Sequence, residues 1–526
     1  MNDSKNDTKA IINNWNNFRL RIILQGIIIG LITGLIIVFY RIAIEKAGIF
    51  TVYIYALMRK NPVIIPFWFI ILILTGILVG YMVEKEPTIS GSGIPQVEGY
   101  LLRKVEMKWF RVLVLKFIGG FIGLAAGLSV GREGPSIQMG AAIGQGFSKI
   151  TKRVKVEEKF LVTAGASAGL SAAFNAPIAG VLFALEEVHK NFSPLVLTTA
   201  LSASITADFV SKQFFGIAPV FKFEKLSPIP LRYYPYLIVL GVLLGFAGVI
   251  FNKGLLGTQD IYSKSAKLKQ RYWPVIPFVL AGILGFIYPQ VLGGGHKLIE
   301  SVYNTPYAIK FLILLLLIKF IFTLISYGSS APGGIFLPLL VIGAILGAIY
   351  GLTLNKFFNF PSIYVNNIII IAMAAYFCAI VKAPMTGMIL LTEMTGSFSH
   401  LLSIAVASII AYVVTDLLKS EPIYESLLDK FLNKGKSKFK AADGNKILVE
   451  IPVVLGSPLS GKLVKAIKWP SKCLIVSIKR GDKELIPRGY SEIYPGDYLI
   501  VLVNETDAAD IYERLSKNAG KCEVTS

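Results

Sequence analysis

The chain has 526 residues, of which 54% are hydrophobic and only 16% are charged, and its mean hydropathy is +0.63. A soluble domain carries about 25% charged residues, so this composition excludes an ordinary soluble enzyme and predicts a protein that crosses the lipid bilayer several times. The formal net charge of +21 does not indicate a nucleic-acid partner. Lysine and arginine gather at the ends of apolar runs and in the hydrophilic tail, as the positive-inside bias of membrane proteins predicts.

The first twenty residues are polar, which is not the layout of a cleaved secretory signal. We expect this segment, 1–20, to lie in the cytoplasm. Apolar runs follow from about residue 22 to about residue 418. Several are shorter or longer than the roughly 20 residues that a bilayer requires, and some begin or end at glycine and proline clusters. This pattern predicts broken helices, which membranes tolerate where the helices line a cavity.

The two halves of the apolar region repeat each other. Three matches occur in the same order, with an offset that drifts only from 202 to 207 positions. They indicate a duplicated membrane unit, which is typical of transporters that bind their substrate between the repeats. The sequence alone does not say whether the repeats are inverted. The matches are GSG at 91–93 against GGG at 293–295, KFI at Lys116 against KFI at Lys319, and APIAGVLFALE at 176–186 against APMTGMILLTE at 383–393.

Three glycine- and proline-rich segments interrupt the apolar sequence, and each leads into a predicted helix start. Proline suits a first helical turn, where no backbone N–H is needed, and the preceding glycines leave N–H groups accessible to a ligand. Such a helix N-terminus attracts an anion. The alternative is that glycine and proline only kink the helices or let them pack closely. The segments are GSGIPQVEG (91–99), GREGP (131–135) and GGIFLP (333–338).

Enzyme chemistry has little support in the sequence. The three cysteines and three histidines are scattered, so we expect neither a disulfide framework nor a metal site. We find no motif for a nucleophile or a cofactor. The sequence therefore predicts a protein that is not an enzyme and uses no cofactor.

GSGIP, GREGP and GGIFLP, in this order, resemble the signature segments of the CLC family of chloride channels and proton-coupled chloride antiporters. The resemblance covers roughly residues 20–430 and includes AAFNAPIAGVLFALEE and EPIYESLL. It implies an all-α polytopic fold, an inverted repeat with broken helices over 21–430, with halves at about 21–215 and 233–430. It also implies a homodimer with one pore per subunit, placed in the cell membrane with both termini in the cytoplasm.

The resemblance assigns chloride-binding roles. Ser92 and Tyr424 match the hydroxyls that bind the central chloride, together with the backbone N–H groups of Ile335 and Phe336. Hydroxyl and N–H dipoles bind an anion and release it, whereas a full lysine charge would hold it too tightly. Taken alone, Ser92 could equally be a helix cap and Tyr424 an interfacial aromatic. Supporting roles go to Gly91, Gly93, Pro95, Arg132, Gly134, Pro135, Gly334 and Pro338.

Acidic residues match the family's proton-handling positions. Glu133 matches the gating glutamate, a carboxylate that can occupy the anion site and leave it on protonation; the alternative is a simple helix cap. Glu187 matches an inner proton-transfer glutamate, and ionisable groups in a membrane body are candidates for proton relays; the alternative is an exposed helix end. Glu186 points about 100° away from it and is expected to be structural. Glu98 and Lys116 are expected to form a supporting buried charge pair.

The leading interpretation is a secondary active transporter that exchanges chloride for protons, and the alternative is a passive voltage- or ligand-gated chloride channel on the same fold. Ser92 points to chloride, because the resemblance links proline at this position to nitrate. Gln96 departs from the family, which often has an acidic residue there.

After a basic linker at 431–446, the sequence pattern of residues 447–526 differs from that of the apolar region before it. ILVEIPV, CLIVSI and DYLIVLV read as strands and ADIYERLSK as a helix, which predicts a small cytoplasmic α+β domain. PLSGKLVKAI and LIPRGYSEIYPGD resemble the regulatory RCK/TrkA-C domain. The domain either binds an unidentified small ligand or only stabilises a dimer.

Overall fold

The computed structural model describes residues 2–190, 192–221, 223, 227–264, 269–305, 307–434, 446–454, 456–471, 473–481, 483–504, 511–512, 514–516 and 519. The chain divides into two compact units, Met1–Gly435 and Lys436–Ser526.

Within the described residues, the first half of the membrane unit contains eight α-helices of very unequal length. The longest is the first helix, and the shortest follow glycine or proline breaks. They are α1 (Asn2–Lys60), α2 (Ile65–Lys85), α3 (Ile94–Leu101), α4 (Trp109–Ala125), α5 (Glu133–Ile150), α6 (Lys155–Phe174), α7 (Pro177–Phe183) and α8 (Pro194–Phe215).

The second half repeats this order, and the contacts repeat with it. Helix α1 packs on α6 and α8, as α9 packs on α14 and α16, and the two halves meet through α2 with α10 and α7 with α15. The helices are α9 (Tyr234–Lys264), α10 (Val275–Ile287), α11 (His296–Asn304), α12 (Ile309–Gly328), α13 (Phe336–Phe358), α14 (Val365–Val381), α15 (Pro384–Thr395) and α16 (Leu401–Leu417). A last helix, α17 (Ile423–Lys434), follows the second repeat.

Within the described residues, nine helices are long and apolar enough to span a membrane. Their burial separates the centre from the periphery. The span that contains α14 has 78% of its most apolar window buried and α13 has 72%, whereas the span that contains α2 has 22%. Apolar side chains on peripheral helices therefore face outward, as contact with lipid tails requires.

The predicted helix breaks are confirmed at equivalent places in the two repeats. The long apolar runs near 160–187 and 366–395 each divide where an Ala-Pro pair starts a new helix, α7 or α15. Proline cannot continue the preceding helix, because it lacks the N–H and its ring clashes with the previous turn. Asn175 and Lys382, just before the breaks, adopt left-handed backbone with φ of 53° and 64°.

The second unit contains a four-stranded antiparallel sheet in the order β1-β4-β2-β3. The strands are β1 (Lys446–Pro452), β2 (Cys473–Arg480), β3 (Lys483–Leu485) and β4 (Tyr498–Asn504). Leu499, Val501 and Val503 alternate along β4 into a small core with Ile451 and Ile478. All three predicted strands are confirmed. The predicted helix ADIYERLSK is described only at 511–512 and 514–516, which are helical; the rest of it lies outside the described residues.

Candidate functional site

The N-termini of α3, α5 and α13 meet at the centre of the membrane unit, where backbone hydrogen bonds hold their preceding loops together. Gly131 N–H donates to the Gly334 carbonyl (2.6 Å), and Gly334 N–H donates to the Gly131 carbonyl (2.8 Å). Gly333 N–H donates to the Gly91 carbonyl (2.8 Å). The three segments singled out in the sequence thus come together, and their positive helix ends converge.

The close approach of these loops requires glycine. A Cβ added at Gly134 would lie 2.7 Å from the Ser92 Cβ and 2.9 Å from the Ser92 carbonyl oxygen, so the first turn of α5 packs directly on the Ser92 backbone. Gly93, at φ +86°, could carry a side chain only by displacing Gln138. The expected prolines lie in the first turns: Pro95 in α3, Pro135 in α5 and Pro338 in α13.

Ser92 is fully buried at the start of α3. Its Oγ accepts a hydrogen bond from the Ile94 N–H (3.3 Å) and another from the Tyr327 hydroxyl (3.4 Å). The Ser92 hydroxyl oxygen therefore accepts from a first-turn N–H of α3, as a helix cap does. Its hydroxyl hydrogen remains available to a ligand. Tyr327, at the end of α12, was not identified from the sequence, because its contact with Ser92 joins residues 235 positions apart.

Tyr424, the second residue of α17, is also fully buried, and its hydroxyl has no hydrogen-bond partner among the described residues. Its ring packs edge-on against Phe183 with centroids 6.4 Å apart, and Phe183 packs against Phe336 at 6.0 Å. Phe336 starts α13, and the first N–H groups of a helix have no partner within the helix. A buried hydroxyl without a partner is costly, so the Tyr424 hydroxyl retains a hydrogen-bonding capacity that the described residues do not use.

Glu133 begins α5 and is fully buried. No hydrogen bond of standard geometry reaches either carboxylate oxygen within the described chain, and its own backbone N–H and that of Leu337 interact with it more loosely. The carboxylate turns back over Gly131, where an added Cβ would lie 2.1 Å from Oε2. It therefore lies between the first turns of α5 and α13, where helix dipoles favour negative charge.

Two arginines lie close enough to act on the Glu133 carboxylate electrostatically, Arg132 and Arg41. The Arg132 guanidinium also lies 3.5 Å from the Glu45 carboxylate on α1 and contacts the Ala173 carbonyl. Arg41, also on α1, is buried and donates to Asn175 and Ser211. The negative charge of Glu133 is therefore favoured by the charge of Arg132 together with the nearby backbone N–H groups.

Glu187 lies in a π-helical turn, Ala184–His189, that continues α7. Its side chain is buried, and its Oε1 has no partner in the described part of the chain. π-Helical turns are rare and occur often at functional sites. The charged groups that act on Glu187 electrostatically are Lys190, Glu98, Glu425 and Glu186.

Glu186 has a separate, structural task, as expected. Its carboxylate accepts from the backbone N–H groups of Met385 (3.2 Å) and Thr386 (2.8 Å) at the start of α15. Its repeat partner Glu393 accepts from Ile178 (3.1 Å) and Ala179 (2.8 Å) at the start of α7. Each repeat therefore caps a helix of the other.

The predicted charge pair between Glu98 and Lys116 is wrong. The Lys116 ammonium donates to the carbonyls of Ile89 (2.9 Å) and Gly91 (2.7 Å), whereas the Glu98 carboxylate contacts Lys190 at 2.6 Å. Lys116 approaches the loop before α3, and Glu98 lies a full turn farther along the helix. Lys319 makes the matching contacts with Val291 and Gly293 in the second repeat.

A cavity of about 240 Å³ reaches Tyr327 and Gly91 from the side of α17. Polar groups line much of it, including Ser90, Gln96 and Lys430. Gln96 donates to the Ser90 carbonyl at 3.1 Å, so the residue that departs from the family pattern ties down the loop next to Gly91. The cavity therefore adjoins the loop before α3 and Tyr327, the neighbour of Ser92.

Comparison with known proteins decides the family. The sequence model described as voltage gated chloride channel matches residues 75–416, well over half of the chain. The chain belongs to the CLC family. The TrkA-C domain model matches residues 448–516 of this CLC protein, which confirms the resemblance of the tail.

Similar proteins share most of the chain. The H(+)/Cl(-) exchange transporter ClcA of Salmonella paratyphi B is 33% identical over 81% of this chain and 92% of its own. That of Citrobacter koseri is 34% identical over 79% and 89%. The solved structure of a slow cyanobacterial Cl-/H+ antiporter is 31% identical, covers 79% of this chain and 99% of its own, and has a TM-score of 0.76. These matches confirm the predicted CLC fold.

Proposed function

We propose that this CLC protein is a proton-coupled chloride antiporter. The observation that carries the proposal is the position of Glu133, a buried carboxylate between the first turns of α5 and α13 that lacks a well-formed hydrogen bond. An ionised carboxylate at these helix N-termini competes with a chloride ion for the same N–H groups. Protonation removes its charge and releases it from this position, so proton uptake and chloride entry become coupled.

The central anion site is assigned to the Ser92 and Tyr424 hydroxyls and the N–H groups of Ile335 and Phe336. Support comes from the burial of both side chains and from the unpartnered Tyr424 hydroxyl. The ammonium groups of two buried lysines nearby, Lys116 and Lys319, donate hydrogen bonds to backbone carbonyls. The ion is therefore bound by dipoles, which allow release as well as binding.

Glu187 is assigned as the inner proton acceptor. It is buried within electrostatic range of Tyr424, and a buried ionisable group in a membrane protein is a proton-relay candidate. A passive chloride channel, the alternative, needs no second carboxylate along the path. The buried Glu187 favours exchange, as does the similarity to an H(+)/Cl(-) exchange transporter and to a Cl-/H+ antiporter.

The test is a flux measurement on purified protein in liposomes. A chloride gradient is imposed without a proton gradient, leaks of other ions are suppressed, and the external pH is recorded. Antiport predicts that the chloride flow moves protons across the membrane and continues to do so against the proton gradient that this movement builds up. Chloride flux without proton movement would make the protein a channel, and the absence of both fluxes would overturn the assignment of chloride.

Three further expectations stay predictions. Both termini are assigned to the cytoplasm, the protein is assigned to the cell membrane as a homodimer, and the C-terminal domain is assigned either a small ligand or a dimer-stabilising role. Labelling of single introduced cysteines from each side of the membrane tests the orientation. Cross-linking in native membranes tests the dimer.

A further inference from the structure

Lys190 links three elements of the membrane unit through one ammonium group. It follows the π-helical turn in left-handed backbone, with φ of 54°. Its Nζ lies 2.6 Å from Glu98 Oε1 on α3 and also contacts the carboxylate of Glu425 on α17. The side chain of Glu98 is 3% exposed, that of Lys190 33% and that of Glu425 46%, so the ammonium lies between a buried carboxylate and one at the surface.

The three linked elements carry or adjoin three of the assigned site residues. Ser92 precedes α3, Tyr424 is the neighbour of Glu425 on α17, and Glu187 lies on the π-helical turn. No other ion pair of the described chain joins these three elements. The Lys190 ammonium therefore joins α3 and α17 by ion pairs and acts on Glu187 electrostatically.

The charges of this cluster make the connection sensitive to protons. Glu98, Glu187 and Glu425 all act on Lys190, while Lys104 acts on Glu98 from farther away. An ionised Glu187 competes with Glu98 and Glu425 for the Lys190 ammonium. When Glu187 is protonated, the ammonium interacts with Glu98 and Glu425 alone. Because charge pairs inside a protein are weakly screened, each proton that Glu187 gains or loses changes how firmly α3 and α17 are held together.

We propose that Lys190 is a positioning residue that couples the protonation of Glu187 to the placement of Ser92 and Tyr424, and so sets the proton-to-chloride ratio. This inference rests on the proposed antiport. Lys190 itself carries neither ion. It transmits the charge state of Glu187 through its contacts with Glu98 and Glu425.

The test compares chloride and proton fluxes in liposomes for the full-length wild type, Lys190→Met and Lys190→Arg. Lys190→Met removes the ammonium and keeps most of the stem, so we expect chloride flux within about threefold of wild type and a proton-to-chloride ratio about fivefold lower or more. Lys190→Arg keeps the charge and is expected to restore most of the ratio. A lysine needed only for folding would change both fluxes in proportion.

Two further variants keep the test decisive. Glu425→Gln weakens one contact of Lys190 without removing the lysine, and we expect a ratio between those of wild type and Lys190→Met. Lys382→Met is the matched control, since Lys382 is also left-handed and ion-paired, with Asp416 at 2.9 Å, but contacts none of the site elements; its ratio should equal that of wild type. The inference is overturned if Lys190→Met keeps the wild-type ratio, or if Lys190→Met and Glu425→Gln lose both fluxes in the same proportion. A wild type that moves chloride without protons overturns the proposed antiport and this inference with it.

Discussion

Gly131 and Gly334, which occupy equivalent positions in the two repeats, exchange two backbone hydrogen bonds as a short antiparallel bridge. Equivalent residues pair with each other in this way when a two-fold axis passes between the repeats. The bridge joins the loops that start α5 and α13, so the symmetry of the duplicated chain itself places two helix N-termini face to face. An anion between them meets positive helix ends from both repeats.

Glu133→Ala should uncouple the two ions. The substitution removes the carboxylate that competes with chloride, so we expect chloride flux to continue while proton transport falls to background. The measurement is paired chloride and pH recording in liposomes. Glu84→Gln, in an exposed ion pair with Arg271, is the control and should leave both fluxes unchanged; coupling that survives in Glu133→Ala would contradict the gating role.

Glu187→Gln and Glu186→Gln should separate two adjacent carboxylates by function. Glu187→Gln is expected to keep chloride flux and lose proton flux, because the side chain keeps its volume but no longer accepts a proton at transport pH. Glu186→Gln weakens the charged cap of α15 and should lower the free energy of unfolding by about 1–3 kcal/mol, with coupling retained. Thermal unfolding in detergent together with the two fluxes checks both; unaffected proton flux in Glu187→Gln would place the inner path elsewhere.

Tyr327→Phe should weaken chloride binding modestly. The hydroxyl that orients Ser92 Oγ is lost, and a hydrogen bond of this kind contributes about 0.5–1.5 kcal/mol, which corresponds to a roughly two- to tenfold weaker chloride affinity. Isothermal titration with chloride measures the effect. Tyr424→Phe, which removes an assigned ligand, is the comparison, and an unchanged affinity in Tyr327→Phe would mean that Ser92 is positioned by its backbone alone.

Gly134→Ala should disturb the anion site through packing. The new methyl would lie within 3 Å of Ser92 backbone atoms, and overpacking of this kind costs about 1–3 kcal/mol. We expect lower thermal stability and a loss of chloride binding. Gly257→Ala, on α9 with no atom within 4 Å of the added methyl, is the matched control and should be neutral or slightly stabilising.

The C-terminal sheet should contain an acid-labile contact. Burial alone would raise the pKa of Asp497, but hydrogen bonds from Arg480 and from the Tyr494 backbone N–H hold the pKa below its usual range. A lowered pKa contributes stability that is complete above the unfolded value of about 4 and is lost as pH falls below it. In the full-length protein, the protection of β2 and β4 amides against hydrogen exchange, measured relative to the intrinsic exchange rate at each pH, should therefore decrease below about pH 4. Asp497→Asn should remove most of this pH dependence, and a wild-type profile in that variant would show that the contact is not the cause.

Much of the anion site could be predicted because its chemistry is local. Glycine and proline mark the helix starts at α3, α5 and α13, and the duplicated motifs predict which segments correspond. The role of Glu186 followed from its match with Glu393, since equivalent residues make equivalent contacts. The strands of the C-terminal domain could also be predicted, because the alternation of apolar and polar residues along a strand depends only on neighbouring residues.

Partner choice could not be predicted in this way. Lys116 was expected to bind Glu98, yet it donates to the Ile89 and Gly91 carbonyls, because the fold brings this loop, and not the Glu98 side chain, to the buried ammonium. Tyr327 and Lys190 were missed for a related reason: each contacts a residue 235 positions away. The sequence by itself determined where helices begin, which segments repeat and which residues carry ionisable groups. Only the tertiary structure decided which of those groups meet, because contacts across hundreds of residues depend on how the two repeats pack and leave no local pattern in the chain.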